Sequence, residues 1–247
     1  RNASGRFYGP TRLREALLQS VNLVSIRLLR EIGIERVRNY SQNFGFKLEE
    51  LNSDLSLALG TASLSPIENV AAYSVFANGG KSIQPYFILK ITDRTGNTIF
   101  QREDIEIKQV IDARIAFIIK DILQEAARRG TAKKVKELGR GDLAGKTGTT
   151  NEAESTWFTG FNESLVTTVW VGFDQPKSLG NREFGSSTAL PIWMDFMQPN
   201  IDNLPKNKNL PPEGIVSIKI DKRTGLKAES DSRNSIFEYY LEEHLPK

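Results

Sequence analysis

"GDLAGKTGTTNEAESTWFTGFNESLVTTVWVGF", residues 141–173, decides how the chain is read. Three β-rich pieces, Leu143 to Thr149, Thr156 to Phe161 and Leu165 to Phe173, are joined by the short polar connections "TNEAES" and "NES". Connections this short predict an antiparallel meander. Its first strand carries Lys146, Thr147, Gly148 and Thr149 in succession. Side chains alternate along a strand, so Lys146 would point into a cleft beside one set of hydroxyls. Gly148 removes the side chain that would block a ligand's backbone. Such a strand can pair with a peptide-like substrate, bind its terminal carboxylate through the Thr147 and Thr149 hydroxyls, and offer the Thr149 N–H to an oxyanion. The plainer alternative is a solvated lysine among threonines selected for β propensity.

Working outward, helices precede the meander. Leu13, Leu17, Val21, Val24, Leu28 and Ile32 recur at steps of three and four, which predicts a helix from Pro10 to Ile32 facing a core and ended by Gly33. Residues 34–44 form a second short helix. "SPIENVAAYSVFANGG" predicts a third, with Ser65 as N-cap, Pro66 in the first turn and Glu68 closing a capping box. "PYFILKITDRTGNTIFQ" reads as two strands about a turn at residues 93–97. A further amphipathic helix runs from Asp112 to about Arg128, with Ile115, Ile118, Ile119, Ile122 and Ala126 on its apolar side. Another short apolar segment, "LPIWMDFM", follows the meander at 190–197. Trp157, Phe158, Trp170 and Trp193 read as packing residues. The order predicts an α+β fold with helices packed on an antiparallel sheet. Residues 1–198 form the main domain. Residues 199–247 are a linker and C-terminal extension, with one alternating strand-like piece and a polar, acidic end lying on the domain surface.

Composition narrows the chemistry. The 247 residues, 39% of them hydrophobic, suffice for one large domain or two small ones. The net charge is only +3, and the one basic cluster (Arg128, Arg129, Lys133, Lys134, Lys136, Arg140) comes without a nucleic-acid signature, so it reads as a solvated edge and no nucleic acid is expected as partner. There is no cysteine, which excludes thiol nucleophiles, thiolate metal sites and disulfides. The single histidine, His244, lies three residues from the end, a poor place for a serine triad. Acyl-transfer chemistry here would take lysine as its base, with no metal or cofactor. The longest nearly apolar run, residues 70–77, is far short of a bilayer span, and Arg1 begins no signal peptide. The missing initiator methionine suggests an internal piece of a longer chain.

Within the first helical stretch, "SVN" places Ser20 and Asn22 two residues apart. In an unbroken helix these positions lie about 200° apart and cannot face one site. If both serve one site, the helix must break there.

"SVN" and "KTG" together, with S-x-x-K, form the signature of penicillin-binding proteins and serine β-lactamases. The chain resembles that family, in particular the transpeptidase domain of bifunctional, class A penicillin-binding proteins. The likeness runs in the family's order through "GRFYGPTRLREALLQSVNLVSIRLL", "LSPIENVAAYSVFANGGK", "RRGTA", "AGKTGTTNEAESTWFTGFN", "VTTVWVGFD" and "ALPIWMDFM". The resemblance implies that the S-x-N element lies on a loop between two helices. It implies Ser20 as a proton relay between nucleophile and leaving amine, Asn22 as a ligand of the substrate amide, and Lys146 as the group orienting Ser20. Thr147 and Thr149 would hold the donor carboxylate beside Gly148. Val21 departs from the polar middle residue often found in that element.

A second departure is an omission: no serine here is followed by lysine three positions later. By resemblance, the nucleophile and base lie upstream, on a companion chain or segment that carries S-x-x-K and, beyond it, a glycosyltransferase domain. The expected activity is D,D-transpeptidation of peptidoglycan stem peptides, with β-lactams as acylating mimics, on the periplasmic or extracytoplasmic face of an inner membrane and anchored by an N-terminal helix outside this chain. A D,D-carboxypeptidase or β-lactamase, and a non-catalytic sensor that binds muropeptides or β-lactams, are the alternatives.

Overall fold

The computed structural model describes residue 2 and residues 5–103, 107–229 and 231–247, so Arg1 lies outside the described residues. The first predicted helix is two: α1 (Leu13–Leu18) and α2 (Asn22–Ile32). Between them Ser20 adopts φ 53°, a left-handed conformation that costs a residue with a Cβ. Val21 N–H donates to Ala16 O at 2.9 Å and closes the end of α1. The break changes the helical phase, so the predicted stripe does not face one core. Leu13, Leu28 and Ile32 are exposed, while Ala16, Leu18, Val21 and Leu29 are buried. Leu13, Val21, Val24 and Leu28 instead line, with Phe7 and Tyr8, an open groove of about 530 Å³.

Gly33, at φ 96°, turns the chain into α3 (Ile34–Ser41), which tightens to a 3-10 turn at Gln42–Phe44. Next, α4 (Pro66–Ala77) carries the predicted capping box, with Ser65 N–H donating to Glu68 Oε2 at 2.8 Å and Glu68 N–H donating back to Ser65 Oγ. The hairpin of β1 (Lys90–Thr92) and β2 (Thr98–Gln101) is tied by Asp93 Oδ1, which accepts the N–H groups of Thr95 and Asn97.

The helix α5 (Ala113–Arg129) is more enclosed than its isoleucine stripe suggested: Ala116, Phe117, Lys120, Leu123, Gln124, Ala126 and Ala127 are buried, which takes in more than one side of a cylinder with 3.6 residues per turn. It packs on the meander of β3 (Ala144–Thr149), β4 (Ser155–Phe161) and β5 (Val166–Gly172), antiparallel in that order. Lys146 pairs with Thr159 and Thr159 with Thr168; Thr147 pairs with Phe158 and Phe158 with Val169. On one face Ala144 and Phe161 pack with Ala77 and Leu123. On the other, Leu143 and Phe158 pack with α6 (Ala189–Met197), the Phe158 and Trp193 rings meeting edge to face at 5.0 Å. Burying Phe158 and Phe161 fully contributes about 1.5–3 kcal/mol each. Trp193 is wholly buried as expected, whereas Trp170 is 38% exposed and leans on Trp157 with ring centroids 6.2 Å apart.

The basic cluster is only partly a solvated edge. Arg140 is buried against Asp142, and its guanidinium also donates to the carbonyls of Ile201, Leu204 and Pro205. The final segment holds two strands, β6 (Ile215–Asp221) and β7 (Ser235–Leu241), paired throughout as an antiparallel hairpin. The single strand expected from sequence missed β7, because "SIFEYYL" sits inside a polar, acidic tail. The Tyr239 ring stands edge-on to Phe117 of α5 at 5.1 Å.

Candidate active site

The left-handed turn at Ser20 brings the two recognised sequence elements together. Lys146 Nζ donates to Ser20 Oγ at 2.6 Å, and also to its own neighbour, Thr147 O, at 3.0 Å. Ser20 is exposed and Lys146 half-buried, so the pair is open to solvent on the Ser20 side. Burial disfavours the ammonium and lowers the Lys146 amine to about 8. An amine brought this near neutrality, hydrogen-bonded to a hydroxyl, can hold that hydroxyl in place and exchange protons through it.

Asn22 opens α2, two residues beyond Ser20. The helix break removes the constraint that would have set Ser20 and Asn22 on opposite sides. Gly148 shares the Lys146 face of β3, where a Cβ would come 3.1 Å from Trp157 Cβ. Thr147 and Thr149 lie on the opposite face. Thr147 Oγ1 and Thr131 Oγ1 are 2.7 Å apart, and Thr149 Oγ1 accepts the Gly185 N–H at 3.0 Å. Thus Lys146 and Ser20 are joined directly, while the two threonines are each held by a separate loop. β3 is an edge strand of its three-stranded sheet, so among the described residues its outer ladder has no strand partner.

Two contributors were not singled out from sequence. Thr131 fixes the Thr147 hydroxyl, and its own N–H donates to Leu18 O at 3.2 Å, tying the α1 end to the strand. Its signal was the "RRGTA" block, to which no role had been attached. Gly185 approaches so closely that a Cβ there would lie 2.5 Å from both Gly148 O and Trp157 O. Nothing in "REFGSSTAL" marks it, since the requirement comes from a distant backbone. No group of three or more His, Cys, Asp or Glu side chains able to hold a metal occurs among the described residues. Among them no helix is long and apolar enough to cross a membrane.

A lysine from a K-T-G strand bonded to the serine of an S-x-N turn, on helices around an antiparallel meander, defines the class, and the chain belongs to the penicillin-binding protein transpeptidase family. The family model described as "Penicillin binding protein transpeptidase domain" matches residues 2–198. Among curated relatives, Penicillin-binding protein 1A of Pseudomonas aeruginosa is 40% identical over 100% of this chain and 36% of its own length. Penicillin-binding protein 1A of Neisseria gonorrhoeae is 43% identical over 88% of this chain and 28% of its own length. The chain therefore spans about a third of these relatives. The crystal structure of Penicillin-Binding Protein 1A from Haemophilus influenzae superposes with TM-score 0.91 at 35% identity, covering 100% of this chain and 42% of that one. The PonA1 protein from Mycobacterium tuberculosis in complex with penicillin V superposes with TM-score 0.70 at 25% identity, over 84% of this chain and 61% of that one.

Proposed function

We propose that the chain supplies the S-x-N and K-T-G walls of a serine D,D-transpeptidase site that cross-links peptidoglycan stem peptides and is acylated by β-lactams. The observation that carries this reading is the Lys146 to Ser20 hydrogen bond, which joins the two elements across 126 residues of sequence. The nucleophilic serine and its lysine base lie on an upstream S-x-x-K segment, and the groove lined by Leu13, Val21, Val24 and Leu28 beside the Ser20 turn suits an apolar helix bearing it. Residues 1–198 are the transpeptidase part and residues 199–247 an extension. The anchored, extracytoplasmic setting and the glycosyltransferase domain belong to the same proposal.

The serine oxygen attacks the penultimate D-Ala carbonyl, the C–N bond to the terminal D-Ala breaks, and that amine leaves with a proton delivered through Ser20. Lys146 holds the Ser20 hydroxyl for this transfer. Asn22 hydrogen-bonds the donor amide. Thr147 and Thr149 bind the terminal carboxylate, with Gly148 leaving room for its backbone. An amine of a neighbouring stem then attacks the ester, and the serine recovers its proton. Fluorescent penicillin labelling of the full-length protein, followed by peptide mass mapping, tests the reading. Label on a serine of an upstream S-x-x-K, absent when that serine is replaced, supports it; label on Ser20 overturns the relay assignment.

A further inference from the structure

We infer that the C-terminal hairpin β6–β7 positions Ser20 by clamping the short helix α1 through Glu238; its catalytic consequence, but not the clamp itself, rests on the transpeptidase reading. A six-residue helix without a side-chain N-cap is too short to hold its own geometry, so α1 takes its orientation from what grips it. The grip comes chiefly from elsewhere in the sequence. Arg14, 6% exposed, donates from Nε to Glu238 Oε1 at 2.9 Å and from Nη1 to Asp121 Oδ2 at 2.7 Å and Glu125 Oε2 at 3.0 Å. Arg12 reaches the second oxygen of the same Glu238 and donates from Nε to Lys222 O at 2.9 Å. One carboxylate of β7 therefore receives both arginines at the start of α1. Gly225, in the turn after β6, lets the backbone come so near that a Cβ would lie 3.0 Å from Arg12 Cδ.

The other end of α1 runs straight into the site. Leu18 is fully buried, its carbonyl accepts Thr131 N–H, and two residues later Ser20 turns left-handed to meet Lys146. Loss of Glu238 removes the one carboxylate that both guanidinium groups share and leaves Arg14 to Asp121 and Glu125 and Arg12 to Glu15, so the pull on α1 shifts from the hairpin toward α5. Glu238 is a positioning residue, and the extension carries part of the site's geometry.

The test compares Glu238→Ala and Glu238→Gln in the full-length protein, with and without Ser20→Ala, by the rate of penicillin acylation. Glu238→Ala is expected to slow acylation roughly 10-fold, Glu238→Gln less, and neither to slow it further when Ser20 is alanine. Equal slowing in both backgrounds overturns the proposal, because the hairpin would then stabilise the fold without acting through Ser20. An unchanged rate in Glu238→Ala overturns it as well. If Glu238→Ala does not fold, Glu238→Gln carries the same comparison. Amide hydrogen exchange decides the clamp separately: protection at Val21 and Thr131 should fall in the variant while the β3–β4 ladder keeps its protection, and unchanged protection overturns the proposal. If the unaltered protein takes no penicillin, the transpeptidase reading falls while the exchange result still stands.

Discussion

Lys146 Nζ lies 2.6 Å from Ser20 Oγ, and the bond exists because Ser20 leaves the helical conformation between α1 and α2. If Ser20 is a relay held by Lys146, the two residues act as a unit. Ser20→Ala and Lys146→Ala should each lower penicillin acylation of the full-length protein by about 10²–10⁴-fold, the usual range for a positioned proton-transfer group. The double variant should be little worse than either single one. Gel-based rates with fluorescent penicillin measure all three; multiplicative losses would mean that the two side chains serve separate steps.

The desolvated amine gives a pH signature in stability. Lys146 titrates at about 8 in the fold against an ordinary 10.5, so between these values the unfolded chain holds a proton that the folded chain has released. Stability should therefore rise with pH from about 8 to 10.5, while below 8 the full cost of burying the ammonium persists. Urea denaturation of this chain across that window, beside Lys146→Met, is the measurement. The substitution should flatten the Lys146 contribution, and identical profiles would show an amine that is not desolvated.

Gly185 braces the strand from its far side through space that only a missing side chain allows. Gly185→Ala places a Cβ 2.5 Å from two backbone oxygens and should move the loop away from Thr149. An overpacking cost of about 1–3 kcal/mol is expected, read as a lower denaturation midpoint. If Thr149 binds the donor carboxylate, the same variant should weaken substrate binding more than turnover.

Arg140 holds the chain beyond α6. Burial alone would push the Asp142 carboxyl up, but the Arg140 guanidinium, helped by the Asn207 N–H, outweighs it and holds that carboxyl below the usual range. Arg140→Ala leaves Asp142 without that partner and releases three backbone carbonyls, for an expected cost of about 3–5 kcal/mol. Thermal unfolding checks this, and Arg140→Ala with Asp142→Ala together should cost less than the sum.

What the sequence disclosed follows from how local each signal is. The capping box at Ser65, the Asp93 turn and the β3–β4–β5 meander are set by neighbours within a few residues, and all three appear as read. The helix break at Ser20 was legible from the residues only as a condition, since two site residues two apart require it while the apolar steps run through it unbroken; the family resemblance supplied it as a loop between two helices. The role of Thr131 and the close approach of Gly185 depend on contacts 16 and 36 positions away, which no periodicity records. β7 was hidden because its strand pattern is embedded in charged residues whose partners, Arg12 and Arg14, lie at the other end of the chain.

The pairing of Arg14 with Glu238 spans 224 residues, and that separation sets an order of assembly. During synthesis α1 and the Ser20 turn leave the ribosome well before Lys146, and the carboxylate that grips α1 follows later still. Contacts this distant in sequence form slowly, because the closure entropy of a long loop comes before any reward. Until β7 has been made and has docked, the nascent chain holds α1 and the serine turn after it without the Glu238 partner of Arg12 and Arg14.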